Sequence, residues 1–387
     1  MDRKTLDKLV KRVEDLMDRG ETTMWESEAA QVASRYGDAA WQAREWQVIR
    51  NTPVIVGHSS RIPKAGDFFT HELAGVPMLV VRQDDGSVRA MLNICTHRGA
   101  RVVTKADGNR RAFSCPYHAW SFKADGALLA IPKAEGFPHV DKAEHGLQQL
   151  PVKERHGFIW VVPTPGAAID VAAHLGEIDA EIASYGAADL VLERQDVLRT
   201  DMNWKFVTDG FFEVYHFSTL HAKTIAPYFH GNYSPFDSFG RHGRMVGVRA
   251  SFDKVRGQPK DGLSDNDLVK HLAINYFIFP NTVLVWQGDH FECWTTFPGD
   301  RPDSCVAHVQ SITTREAAQP EFEAKWDRNW KVMISTVVEE DWAVSKTIQE
   351  SVHAMPHNRI WFGRNEPGLQ HIHGQLAREI EASTQAA

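Results

Sequence analysis

Two stretches of the chain hold residues whose types and spacing suit metal chemistry. The first, "CTHRGARVVTKADGNRRAFSCPYHAWSF", contains Cys95-x-His97 and, after seventeen intervening residues, Cys115-x-x-His118. Each pair is short enough to sit on one tight loop, so two loops offer two thiolates and two imidazoles to one centre. A structural zinc ion takes such a set in a tetrahedron, usually from pairs of like ligands. A [2Fe–2S] cluster with two imidazoles replacing two thiolates on one iron takes it as well. Mixed pairs favour the cluster, because each loop then gives a thiolate to one iron and an imidazole to the other. The turn formers Gly99, Pro116 and Gly126 agree with tight loops.

The second stretch is "NWKFVTDGFFEVYHFSTLHAKT", residues 203–224. On a helix at about 100° per residue, Asp209, Phe212, Glu213 and His216 share one stripe, with Val207, Phe211 and Val214 opposite. Two carboxylates and a histidine on an otherwise apolar helix are costly to bury without a metal or partner. Asp209 and Glu213 are therefore the candidate catalytic carboxylates. His221 falls about 140° from His216 on a regular helix, so both reach one ion only through a π-bulge or a helix end between them. A third donor comes from "KWDRNWKVMISTVVEEDWAVSKTIQ", where Trp326, Trp330, Met333, Val337, Val344 and Ile348 form an inward stripe that includes Asp341. Glu339 faces away from that stripe and Glu340 lies at its edge. Two histidines and one carboxylate make the facial triad of non-haem Fe(II) oxygenases.

The elements that must position these residues differ in texture along the chain. Residues 1–43 read as an N-terminal helical segment packing on the catalytic domain, through "ESEAAQVASRY". Residues 44–165 read as short strands split by turns, with "DDG" and "ADG" as hairpin signals, and form an all-β domain carrying both Cys–His loops. Residues 166–387 mix helices with antiparallel strands such as "HLAINYFIFPNTVLVWQGDHFECWTTFP", and close with a long helix from about Glu321 to Ser351 and a shorter one. At 387 residues there is ample chain for a large core, and a net charge of −7 argues against nucleic acid or an anionic membrane as partner. The N-terminus is an amphipathic helix rather than a signal peptide, and no run approaches the ~18 apolar residues of a membrane span. With four cysteines in all, no disulfide framework is indicated, and Cys293 and Cys305 read as buried small hydrophobes. A cytoplasmic location is expected. His371 and His373 read as a solvated helix start.

Taken with "GHSSRIPKAGDFFTHELAGVPMLVVR", "NICTHRGARVV", "CPYHAWSF", "HGFIWVV", "NWK", "EVYHFSTLH" and "EEDWAV", these motifs make residues from about 44 to 378 resemble the catalytic α subunit of the Rieske non-haem iron (aromatic-ring-hydroxylating) oxygenases. The resemblance implies an α+β chain, an all-β Rieske [2Fe–2S] domain plus a helix-grip catalytic domain with a large antiparallel sheet. It assigns Cys95 and Cys115 to one cluster iron, His97 and His118 to the other, and His216, His221 and Asp341 to a mononuclear Fe(II). It gives Glu213 the task of linking the cluster of one subunit to the iron of its neighbour in a homotrimer. Glutamate at this position occurs among relatives that oxidise quaternary ammonium compounds, although the Cys and His-Pro around their motif are absent here. The implied reaction is O₂-dependent hydroxylation or dihydroxylation of a hydrophobic, aromatic small molecule. Oxidative N- or O-demethylation is the alternative, and a Rieske electron carrier the more distant one. No nucleotide-binding glycine fingerprint is present, so NAD(P)H electrons are expected through a separate reductase, with or without a ferredoxin. Phe211, Phe212, Phe217, Tyr228 and Phe229 are candidates for the pocket wall.

Overall fold

Alternating apolar residues and glycine-containing turns between positions 54 and 161 fold as short antiparallel strands in the computed structural model of the chain, which describes all residues except 74, 232, 386 and 387. The chain divides into two units, Ile49–His174 and the combination of Met1–Val48 with Leu175–Ala387.

The first unit holds three sheets. Five strands run in the order Gln149–Leu150, Val88–Leu92, Val76–Arg82, Asp67–Leu73 and Asp107–Asn109. Three more are Val152–Arg155, Phe158–Val161 and Val54–His58, and the last three are Ala112–Ser114, Ser121–Lys123 and Leu128–Ala130. Phe68, Leu79, Met91, Phe113, Trp120 and Phe122 pack into its core, each fully buried side chain of this size contributing about 1.5–3 kcal/mol. Buried Asn93 sets the loop after strand Val88–Leu92. Its Oδ1 accepts from Val102 N and Val103 N at 3.0 and 2.9 Å, and its Nδ2 donates to Val103 O at 2.7 Å. One side chain thus ties both ends of the Cys95 loop.

The second unit is built on an antiparallel sheet. Its order is Val191–Thr200, Cys305–Thr313, His290–Pro298, Thr282–Trp286, Leu272–Ile278, His242–Arg249 and Phe229–His230, with Phe236–Phe239 also paired to His242–Arg249. Helices Lys205–Phe211, Glu323–Ile334, Trp342–Ser351 and Pro367–Gln385 belong to this unit, and Trp204, Phe212, Trp294 and Trp342 lie in its core. The "NWK" motif anchors the first of these helices. Asn203 Nδ2 donates to Tyr36 O and Pro302 O, Trp204 Nε1 donates to Glu45 Oε2, and Lys205 Nζ pairs with Glu45 Oε1 at 2.6 Å in full burial. Among the described residues no helix is long and apolar enough to cross a membrane.

Three expectations are corrected. Ala29–Val32, read as helix, is a strand paired antiparallel with Arg359–Phe362; long-range pairing overrides local helix propensity. The stretch "LVLERQDVLRTDMNWKF", which reads as strand throughout, is strand only over Val191–Thr200, and the segment around Lys205 is helical. The long helix is α over Glu323–Ile334, π over Ser335–Asp341 and α again over Trp342–Ser351. The wider π turn rotates the second α segment about the helix axis, so Trp342 and Gln349 turn inward while Val344 is exposed.

Candidate metal centres

The two Cys–His loops have the same backbone geometry. Cys95 N donates to Ala100 O and Gly99 N to Cys95 O; Cys115 N donates to Trp120 O and Ala119 N to Cys115 O. Each loop therefore closes over five residues with a left-handed residue at its fourth step, Gly99 at φ 76° and Ala119 at φ 59°. Alanine pays about 1–2 kcal/mol for that conformation and glycine almost nothing. Both cysteines are free and buried. Burial raises the Cys95 thiol pKa, as does the facing Cys115 sulfur, while the backbone N–H groups of His97 and Arg98 pull it the other way by bonding to its sulfur. The rings of His97 and His118 lie 4.7 Å apart, and the Nδ1 of each is buried without a partner. Two buried sulfurs and two orphaned ring nitrogens make a donor set that a metal cluster would satisfy. His97 stacks flat on Trp120 at 4.8 Å, and Phe137 meets both rings edge-on. His118 lies under Tyr117, whose ring is exposed.

In the second unit, helix Lys205–Phe211 ends, the chain turns through residues 212–216, and a single helical turn, Phe217–Leu220, comes next. His216 and His221 are the two caps of that turn, so the expected interruption is a helix end and not a π-bulge between them. Their Nε2 atoms lie 3.1 Å apart, and Asp341 Oδ1, at the end of the π turn, lies 3.5 and 3.2 Å from them. A metal about 2.1 Å from three ligands at right angles would hold them about 3 Å apart, close to this triangle.

Carboxylates set the tautomers. His216 Nδ1 donates to Glu213 Oε2 at 2.5 Å, and His216 N donates to Glu213 Oε1 at 2.8 Å. His221 Nδ1 donates to Glu340 Oε2 at 2.6 Å, an oxygen that also accepts from Thr224 Oγ1 at 2.8 Å. With both Nδ1 protonated, two Nε2 lone pairs and a carboxylate oxygen face one another, an arrangement that needs a cation between them. Burial opposes charge on His221, yet Asp341 and Glu340 together raise its pKa. The three ligand atoms can therefore hold a metal ion.

Asp209 does not join this convergence. Its carboxylate accepts from Tyr36 Oη at 3.0 Å and lies 2.8 Å from His373 Nε2. His373 Nδ1 lies 3.0 Å from Gln31 Nε2, and its ring stacks on Phe362. His371 and His373 are thus buried, correcting their reading as a solvated helix start. Their helix, Pro367–Gln385, begins four residues before His371 and faces the core, which its apolar partners Leu369, Ile372 and Leu376 could have signalled. Glu340 is the other residue whose role the sequence did not reveal, since its orientation depends on the π turn.

A cavity of about 740 Å³ lies in this unit; His216, His221 and Asp341 do not line it, but Phe217, which stacks on His216, does. Phe211, Phe217, Phe229, Val285, Met333 and Val337 give it an apolar wall, and Arg249, Gln287 and Glu292 a polar one. Phe217, Tyr228 and Phe229 line it as expected, whereas Phe212 is fully buried in the core and does not. Phe217 stacks on His216 at 5.4 Å and on Phe229 at 5.7 Å, linking wall to ligand.

Two family models match the chain. The family described as Rieske [2Fe-2S] domain matches residues 52–151, and the ring hydroxylating alpha subunit (catalytic domain) matches residues 187–382. The chain is 31% identical to the carnitine monooxygenase oxygenase subunit of Escherichia coli over 184 residues, 47% of this chain and 49% of that protein. It is 34% identical to the anthranilate 1,2-dioxygenase large subunit of Acinetobacter baylyi over 176 residues, 44% of this chain and 37% of that protein. These alignments take in about half or less of each relative. A quaternary ammonium Rieske monooxygenase solved with L-carnitine shares the fold at TM-score 0.73 and 19% identity, covering 96% of this chain and 98% of that one. Naphthalene 1,2-dioxygenase from Rhodococcus sp. does so at TM-score 0.69 and 20% identity, covering 91% and 87%. The chain belongs to the ring-hydroxylating alpha subunits and joins a Rieske [2Fe–2S] domain to their catalytic domain.

Proposed function

We propose that this chain is the terminal oxygenase of a multicomponent system, using O₂ to hydroxylate an apolar small molecule held in the cavity. Electrons come from NAD(P)H through a separate reductase, with or without a ferredoxin. The observation that carries this reading is the triangle of His216, His221 and Asp341 donor atoms in the same unit as a largely apolar cavity, in a chain that also carries two matched Cys–His loops. Cys95, Cys115, His97 and His118 would hold the cluster, and His216, His221 and Asp341 the mononuclear iron. When bound, these groups supply single electrons and the activation of dioxygen.

The chain's own residues do the rest. Glu213 and Glu340 fix the two imidazoles as neutral donors with Nε2 free. The apolar wall orients the substrate and excludes water. Glu213 is half-buried beside His216 and serves as the link to His118 of the partner subunit in a homotrimer. A second reading, oxidative demethylation of a methylated amine, is favoured by glutamate at position 213 and by the likeness to carnitine monooxygenase.

Purified protein should carry about three iron atoms per chain and give an EPR signal on reduction. With a surrogate reductase and isotopically labelled O₂, candidate aromatics and methylated amines should yield labelled product or formaldehyde. Zinc in place of iron, with no signal on reduction, would overturn the reading.

A further inference from the structure

The polar wall of the cavity carries a guanidinium that forms no ion pair among the described residues. Arg249 ends strand His242–Arg249 and pairs across the sheet with Phe229, another lining residue. Its Nη2 donates to the side-chain oxygen of Gln287 at 2.5 Å, a neutral partner. Its Nε is buried without a partner, and Arg249 makes no ion pair among the described residues. The two nearby carboxylates are engaged elsewhere. Asp289 pairs with His290 and Lys325, and Glu292 accepts from Gln287 Nε2 at 3.0 Å. Burial accordingly outweighs the attraction of Glu292 and Asp289 and lowers the Arg249 pKa. A half-buried guanidinium with an unpartnered Nε is a costly feature to keep for packing alone, and its planar fork matches a carboxylate.

We propose that Arg249 is a specificity-determining residue that binds a carboxylate on the substrate, so that the cavity takes small organic acids with an apolar body. The guanidinium lies 5.2 Å over the Phe229 ring, which stacks on Phe217, which stacks on His216. Three stacking steps therefore separate the anchored end of the substrate from the metal-facing imidazole. An acid held at Arg249 presents its far, apolar end to the triad and leaves its carboxylate away from the oxidising centre. This rests on the reading of the cavity as the oxygenase's substrate site.

The test is binding of shape-matched pairs to the holoenzyme by calorimetry: benzoate against benzamide, 3-phenylpropanoate against its amide, and hexanoate against its amide. At least one acid should bind about tenfold to a hundredfold more tightly than its amide. Arg249→Met should abolish that difference with the iron content unchanged, and Arg249→Lys should keep part of it. Equal binding of every pair by the wild-type protein, or discrimination that survives Arg249→Met, overturns the proposal. The same preparations are assayed for iron and for the EPR signal of the reduced cluster. Loss of those signals with discrimination intact would sink the oxygenase reading alone, and the converse would sink the carboxylate anchor alone.

Discussion

Each histidine of the triad is held by its own carboxylate, so substitutions at neighbouring acids should separate ligation from orientation. Asp341→Ala removes a charged donor and should empty the mononuclear site, abolishing product formation while the cluster still reduces normally. Glu340→Gln keeps the ligands and an oxygen for His221 and Thr224 but removes the charge that holds His221. Iron affinity should then fall about tenfold to a hundredfold, measured by competition with a chelator. Equal loss in the two variants would make Glu340 a ligand. A different acid–histidine pair bears on stability. Burial disfavours charge on His290, but hydrogen bonds to Asp289 and Glu292 raise its pKa to about 9 from an ordinary 6.5. A pKa raised on folding gives stabilisation that is full below about 6.5 and disappears as pH climbs through 9. His290→Asn should therefore cost on the order of 2–3 kcal/mol near pH 6 and little above pH 10. A cost that stayed constant across this range would point to packing, not charge.

Secondary-structure elements were legible where local pattern decided them. The paired Cys–His spacings, the strand texture between them and the apolar stripe as far as Val337 could all be read directly, because each is set by residues close in sequence. What was missed depends on distant partners. Ala29–Val32 is a strand only because Arg359–Phe362 comes to pair with it. The π turn at Ser335–Asp341 has no sequence signature of its own, yet it decides which side Glu340 and Val344 take. His373 looks like a surface histidine until Asp209 and Tyr36 arrive from two other elements. The equivalence of the two metal loops was also hidden, because one uses glycine and the other alanine at the left-handed position. It gives a paired prediction. A Cβ at Gly99 meets nothing within 4 Å, so Gly99→Ala should cost only the backbone strain, about 1 kcal/mol. Ala119→Gly should gain a similar amount. The rate at which cluster absorbance is lost on heating should rise in the first and fall in the second.

For the whole molecule, the link proposed for Glu213 would make activity a property of neighbouring chains. Cys95→Ser protein lacks a cluster and Asp341→Ala protein lacks the mononuclear iron, so each alone should be inactive. Subunits mixed at random in the proposed trimer should recover roughly a quarter of wild-type activity, the share of junctions that pair an intact cluster with an intact iron. Mixtures that stay inactive would mean that electrons travel within a single chain. The unit Ile49–His174 is continuous, whereas its host is split into Met1–Val48 and Leu175–Ala387 and is sewn together by the ladder between Ala29–Val32 and Arg359–Phe362. At ~5–20 residues per second, roughly 10–40 s separate His174 from the helix Pro367–Gln385 on the ribosome. Chains stalled near residue 220 should already resist protease across 49–174 while the segment before it is cut, and uniform cleavage would refute this. A nascent chain then offers finished thiol loops to a cluster donor well before it has anywhere to put ferrous iron.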